Sequence, residues 1–175
     1  FAEARLLSII KQSALRVSPP CSYFEWCGGC TWQNLTYEDQ IRYKQEIVSE
    51  SFKHIAGLGD ITVEPVLAAE KPFGYRNKME FSFSDRRWLL PDELNVDQIK
   101  RDFALGLHVP GTFDKILQID NCMLQSDIAN QILLYIKNFV LKTKLQPYGI
   151  RSHEGFLRFL VIRESIHVRP CSNTL

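Results

Sequence analysis

Long hydrophobic runs are missing from this sequence. Its longest fully apolar stretches, such as residues 159–162, span a few residues, whereas a membrane helix needs ~20. The first twenty residues also lack the basic start and apolar block of a secretory signal peptide. The five cysteines are an odd number, and their spacing differs from that of a disulfide-stapled fold. We therefore expect no membrane association and a location in a reducing cytoplasm.

An excess of charge of one sign is also missing. Lys and Arg number 21 against 20 Asp and Glu, so the formal net charge is only +1. This balance excludes the global basicity that by itself indicates a nucleic-acid-binding protein. Residues 126–175 nevertheless contain seven basic and three acidic side chains, so any such binding must come from local patches.

The remaining pattern predicts an α+β fold with an antiparallel sheet and two main helices. Thr36 can cap a first helix that ends at Gly57, and a second helix is predicted from Ser126 to Lys142. The apolar side of the second helix is expected to comprise Ile128, Ile132, Tyr135, Ile136 and Phe139. Strands are predicted at 61–68, 74–84, 103–109, 116–119 and 157–163, with a long connecting loop at 85–102.

Three thiols stand within ten residues, at Cys21, Cys27 and Cys30, in a loop whose glycines let the backbone fold around a small ligand. Ligation by thiolates favours zinc or an iron-sulfur cluster, and both require a fourth ligand. Cys122 is the best candidate for that ligand and Cys171 the weaker one. Spacing alone does not choose between zinc and iron-sulfur, and three buried thiols without metal are the simpler alternative.

The sequence around these thiols resembles the iron-sulfur segment of the RNA (uracil-5-)-methyltransferases, the family that makes 5-methyluridine in 23S ribosomal RNA and tRNA. The resemblance covers about residues 16–165 and is carried by an ordered set of motifs: Cys21-x5-Cys27-Gly28-Gly29-Cys30-x-Trp32-Gln33, Gly74-Tyr75-Arg76-Asn77-Lys78-Met79-Glu80, Leu105-Gly106-Leu107-His108, Ile119-Asp120-x-Cys122-x-Leu124 and Leu157-Arg158-x-Leu160-Val161-Ile162-Arg163.

This resemblance implies a 4Fe-4S cluster held by Cys21, Cys27, Cys30 and Cys122. It implies that residues 1–18 are a linker or the end of an N-terminal RNA-binding β-barrel, and that residues 19–175 are the central iron-sulfur domain. The family's catalytic cysteine and its S-adenosylmethionine site belong to a C-terminal Rossmann-like domain, and no strand, glycine-rich turn and helix of that kind occurs in this sequence. We therefore expect a fragment that contains no catalytic residue and is inactive alone.

RNA is the expected partner, and four basic residues are candidates for contacting it: Arg76, Lys78, Arg158 and Arg163. An ordinary solvated strand face is the competing interpretation of Arg76 and Lys78. The aromatic residues near the cysteines are expected to shield the cluster rather than stack on bases, and His108 is expected to be structural. A zinc-stabilised RNA- or protein-binding module with no enzymatic parent is the alternative to a methyltransferase.

Overall fold

The computed structural model describes residues 6–59, 61–96 and 98–165. The chain divides into two compact units. The first unit comprises the residues up to Ser22 together with Thr31–Glu70, and the second comprises Tyr23–Cys30 and the described residues from Lys71 onward. The part of the cysteine loop that contains Cys27 and Cys30 therefore belongs to the second unit, whereas Cys21 belongs to the first.

The first unit is built on helix α1, Tyr37–His54. Thr36 begins it as predicted, because its hydroxyl accepts a hydrogen bond from the Asp39 N–H and donates one to the Asp39 carboxylate. Arg42 forms ion pairs with Asp39 and Glu46 on the exposed surface of the helix. Hydrogen bonding to Arg42 is the main cause that lowers the pKa of Asp39.

The strand predicted at 61–68 is wrong, because this segment forms no ladder with another strand. Its backbone instead bonds to side chains of α1. The Gln45 amide donates to the carbonyl of Val63 and accepts from the N–H of Val66, and the Tyr37 hydroxyl accepts from the N–H of Ala69. Side chains thus satisfy main-chain groups that a sheet would otherwise pair.

The second unit contains a five-stranded sheet and one long helix. Its elements are β1 (Lys78–Ser84), β2 (Arg87–Trp88), a 3₁₀ turn (Pro91–Glu93), β3 (Ala104–His108), β4 (Ile116–Gln118), α2 (Asp127–Leu141) and β5 (Phe159–Arg163). The strand order is β2-β4-β3-β1-β5, and every neighbouring pair is antiparallel except β2 with β4. The α+β class and the mostly antiparallel sheet are therefore confirmed.

Differences from the predicted strands lie at their ends. β1 begins at Lys78 rather than at residue 74, because the N–H groups of Gly74 and Arg76 donate to the carbonyls of Met123 and Leu124. The predicted loop at 85–102 contains β2, which pairs with β4 and so covers that edge of the sheet. The hairpin of β3 and β4 is confirmed, with Gly111 in the left-handed region at φ 70° in its turn.

α2 packs on one face of the sheet. Ser126 caps it by accepting from the Ala129 N–H, as the start predicted at Ser126 requires. Of the predicted apolar side, Ile136 packs against the core, but the prediction is wrong for the other four residues, of which Tyr135 is 69% exposed. The buried apolar residues of α2 are Ala129, Leu133 and Val140. The core cluster joins these helix residues to the inward-facing side chains of the strands: Met79, Phe81, Phe83, Leu105, Leu117 and Ile162.

No helix among the described residues is both long and apolar enough to cross a membrane.

Candidate functional site

The face of the sheet opposite α2 carries two of the four predicted RNA-contacting residues, Lys78 and Arg163. Strand residues alternate between the two faces of the sheet. Because Met79 and Ile162 are buried on the face toward α2, Lys78 and Arg163 lie on the other face. The register places Lys78 directly across from Arg163. Both side chains are exposed, and residues in this relation have Cβ atoms about 5 Å apart.

This juxtaposition of two cations is unfavourable in the absence of an anion. Lys78 has a partial partner in Glu80, with 3.7 Å between Nζ and Oε2, whereas Arg163 forms no ion pair within the described ranges. A phosphate placed between Lys78 and Arg163 would offset their repulsion. The sequence identified both residues separately, but only the pairing of β1 with β5 makes them neighbours.

Arg158 lies just before β5, and its carbonyl accepts the Phe83 N–H at 2.9 Å. Its guanidinium lies 5.0 Å from the centre of the Tyr148 ring and 5.3 Å from that of Phe159. Stacking of this kind holds a flat cation in place while its edges stay able to donate hydrogen bonds. Arg158 is exposed, and its guanidinium lies beside the rings of Tyr148 and Phe159.

Arg76 occupies a different position. It precedes β1, and one of its guanidinium nitrogens lies 3.8 Å from the Sδ atom of Met79, a residue of the α2-facing side. Arg76 and Lys78 therefore do not form the single strand face that alternation predicts.

The cysteine loop is the second candidate site. Cys27 and Cys30 are partly buried and pack against the same core cluster that contains the buried Cys122. The loop is tied to the Cys122 segment directly, because the Tyr23 hydroxyl accepts the N–H of Asp120 at 3.2 Å. Asp120 also forms an ion pair with Lys137 of α2.

Gly28 and Gly29 let this loop lie close to β3. The Gly28 N–H donates to the His108 carbonyl at 3.0 Å, and a Cβ on Gly28 would also stand 3.0 Å from that oxygen. The Gly29 N–H donates to the Cys27 Sγ at 3.4 Å. Such N–H···S bonds stabilise a thiolate, the form in which cysteine binds metals.

Asn130 is a residue of this region that the sequence reasoning missed. Its Oδ1 accepts from the Cys122 N–H and from the Gln125 side-chain amide, each at 2.8 Å, and its Nδ2 donates to the Cys122 carbonyl at 3.1 Å. The sequence signal is a polar residue beside the small Ala129 in a mostly apolar helix. Asn130 therefore fixes the backbone of the proposed fourth ligand.

The chemistry of this donor set fits a thiolate-bound metal. Among the residues that the structure describes, no three Cys, His, Asp or Glu side chains form a group that could hold a metal ion. Cys21 belongs to the first unit, whereas Cys27, Cys30 and Cys122 belong to the second. Cys171 lies outside the described residues. The four-cysteine assignment stays a prediction.

No protein-family model matches the chain. An uncharacterized RNA methyltransferase of Chlorobaculum tepidum is 43% identical over 167 residues, which cover 94% of this chain and 35% of the relative. An uncharacterized RNA methyltransferase of Bacteroides thetaiotaomicron is 41% identical, with 94% of this chain and 37% of the relative covered. The chain is a homologue of RNA methyltransferases. It spans about a third of the length of these relatives.

A solved structure points to the same family. The tRNA (uracil-54, C5)-methyltransferase of Pyrococcus abyssi, solved in complex with S-adenosyl-L-homocysteine, matches with a TM-score of 0.57 and 27% identity. The match covers 90% of this chain and 31% of the other. Both kinds of match confirm the relationship that the motifs predict, and they fit the RNA (uracil-5-)-methyltransferases.

Proposed function

We propose that this chain is the central domain of an S-adenosylmethionine-dependent RNA (uracil-5-)-methyltransferase. In this proposal it binds single-stranded RNA, holds a 4Fe-4S cluster and transfers no methyl group alone. Homology to RNA methyltransferases supports an RNA substrate for the parent enzyme. The observation that carries the proposal is the cross-strand pair of Lys78 and Arg163 on the exposed sheet face.

Electrostatic attraction on this face is local. Along β1 and β5 it carries Lys78 and Arg163 against the single acid Glu80, and Arg158 lies just before β5, although the whole chain is nearly neutral. A nearly neutral protein gains little from its overall field, so affinity must come from a few phosphate contacts. Three such contacts give a slope of log K against log salt of about −2 on a single strand.

The test is a salt titration of RNA affinity with Lys78→Met/Arg163→Met. For the unaltered chain, a fourfold rise in salt is expected to weaken binding by about 16-fold, as a slope of −2 requires. The double variant retains one contact, so the same rise should weaken its binding only about threefold. Because phosphate contacts position an RNA without reading its sequence, the loss should be similar for different unstructured RNAs.

Lys142→Met/Lys144→Met is the matched control. It removes the same number of charges from the second unit but at the C-terminal end of α2, on the other side of the sheet. An equal effect of the two double variants would show that total charge alone attracts RNA. The sheet face would then be an ordinary solvated surface with no specific role in RNA binding.

For the metal, we propose the thiolates of Cys21, Cys27, Cys30 and Cys122 as ligands of a 4Fe-4S cluster. Support comes from the donor set, the Gly29 N–H on the Cys27 sulfur and the shared core packing of Cys27, Cys30 and Cys122. When bound, the cluster would supply structural cross-linking of this loop. In such small sites the free energy of metal binding stabilises the folded state, by an amount on the order of 10 kcal/mol for structural zinc.

Anaerobic reconstitution with iron and sulfide tests this assignment. We expect about four irons per chain and a brown protein, with a large loss in Cys122→Ser and none in the control Cys171→Ser. Stoichiometric zinc in place of iron would support the zinc module instead. If Cys171→Ser loses iron and Cys122→Ser does not, Cys171 rather than Cys122 is the fourth ligand.

The methyl-transfer chemistry is assigned to the rest of the parent protein. This sequence contains no glycine-rich turn between a strand and a helix that would hold S-adenosylmethionine. What its residues contribute is position: Lys78 and Arg163 hold the RNA backbone while the target base leaves its stack. A reducing cytoplasm suits both thiolate ligation and an RNA substrate.

A further inference from the structure

A pocket opens on the sheet face that carries Lys78 and Arg163. It lies at the other end of β1, and its lining includes Ser82, His108, Phe113, Tyr148, Arg158 and Phe159. The antiparallel register pairs Ser82 with Phe159, just as it pairs Lys78 with Arg163 four residues away. At about 3.3 Å per residue, the pocket lies roughly 13 Å from the two cations along the same two strands.

Aromatic rings form much of the wall of this pocket. Phe159 is 51% exposed and Phe113 is 69% exposed, so both keep substantial area open to solvent. The Arg158 guanidinium also lies close to the rings of Tyr148 and Phe159. Exposed flat rings beside a guanidinium are the surfaces on which unpaired bases stack, since every base has a π face.

Polar groups at the pocket can bond to the edge of a base. The Nε2 atom of His108 lies 3.2 Å from the Ser82 hydroxyl, and this contact fixes the ring. The Nδ1 atom of the same ring is buried and has no hydrogen-bond partner within the described part of the chain. The side chains of Ser82 and His108 on the pocket lining are therefore the candidates for contacting the edge of a base.

We propose that this pocket takes one unpaired nucleobase of a single-stranded RNA whose backbone lies on Lys78 and Arg163. The inference rests on the proposed RNA binding and adds the base subsite to it. A duplex keeps its bases stacked inside the helix and cannot present a base face to these rings, whereas a splayed single strand can. The subsite thus favours single-stranded over double-stranded RNA.

The test compares Phe159→Ala and Phe113→Ala with the control Phe156→Ala, using an unstructured single-stranded RNA and a duplex of the same sequence. Phe156 is also exposed but does not line the pocket. Loss of one stacked base should weaken single-strand binding about tenfold in each pocket variant and leave duplex binding unchanged. The control should stay within about twofold, and Phe159→Trp should restore affinity because it keeps a flat ring.

Salt dependence separates this inference from the proposed function. Removal of a stacking ring should leave the salt slope unchanged, whereas Lys78→Met/Arg163→Met should reduce it. If the unaltered chain binds RNA but the pocket variants match Phe156→Ala, the base subsite is wrong and the phosphate surface stands. A reduced salt slope in Phe159→Ala would also overturn the subsite, since displacement of Arg158 would then explain the loss. If the unaltered chain binds no RNA, both proposals are wrong.

Discussion

Asn130→Ala is expected to destabilise the second unit strongly, because one side chain satisfies several buried polar groups. It bonds to both the N–H and the carbonyl of Cys122 and accepts from Gln125. Asn130 and Cys122 are both buried. A buried polar group that loses its partner costs about 1–3 kcal/mol.

This variant removes the three hydrogen bonds of the Asn130 amide. Water that enters the space left by the amide can replace some of these hydrogen bonds and so reduce the loss of stability. We therefore expect a decrease in the free energy of unfolding of about 3 kcal/mol. Urea unfolding followed by far-UV circular dichroism would measure it as a lower midpoint at unchanged slope. Iron retention after anaerobic reconstitution should fall as well, since the Cys122 backbone is no longer fixed.

Asn138→Ala is the matched control, because Asn138 is exposed on the same helix. Its substitution should change the free energy of unfolding by no more than about 0.5 kcal/mol. If both variants unfold at the same urea concentration, the three hydrogen bonds of Asn130 contribute nothing measurable. The proposed positioning of Cys122 by α2 would then be refuted.

Two further predictions concern the second unit. Leu133→Ala should lower the free energy of unfolding in urea by about 2–5 kcal/mol, because this side chain is 0% exposed. Leu134→Ala, at an exposed position of the same helix, should lower it by less than about 1 kcal/mol. Equal losses in the two variants would contradict the observed orientation of α2. The hydrogen bond from Arg151 is the main cause that lowers the pKa of Asp114. The contribution of this pair to the stability of the folded state is therefore present above the ordinary carboxyl pKa and is lost as the pH falls through the lowered pKa. Arg151→Ala should raise the Asp114 pKa in an NMR titration, and an unchanged pKa would exclude this pairing in solution.

Local features were predictable because neighbouring residues determine them. Thr36 and Ser126 begin their helices through hydrogen bonds to residues three positions later, so the sequence alone locates both starts. The hairpin of β3 and β4 follows from alternation interrupted by Pro110-Gly111. The cysteine loop and its family resemblance likewise depend on residues close together in the chain.

The buried side of α2 was decided by tertiary packing. The helix has two apolar rows, 128, 132, 135, 139 and 129, 133, 136, 140, offset by one residue, which is about 100° around the axis. Periodicity fits both rows equally well. The sheet accepts the row with the smaller Ala129, because a helix packs more closely where a side chain is small.

The sequence by itself determined the fold class, the helix starts, the cysteine motif and the resemblance to RNA methyltransferases. Tertiary structure decided which distant residues meet. Strand register brings Lys78 to Arg163 and Ser82 to Phe159, and the packing of α2 brings Asn130 to Cys122. The physical reason is that caps and turns are local hydrogen bonds. Register and helix orientation, by contrast, are set by burial of the whole core, which no single segment contains.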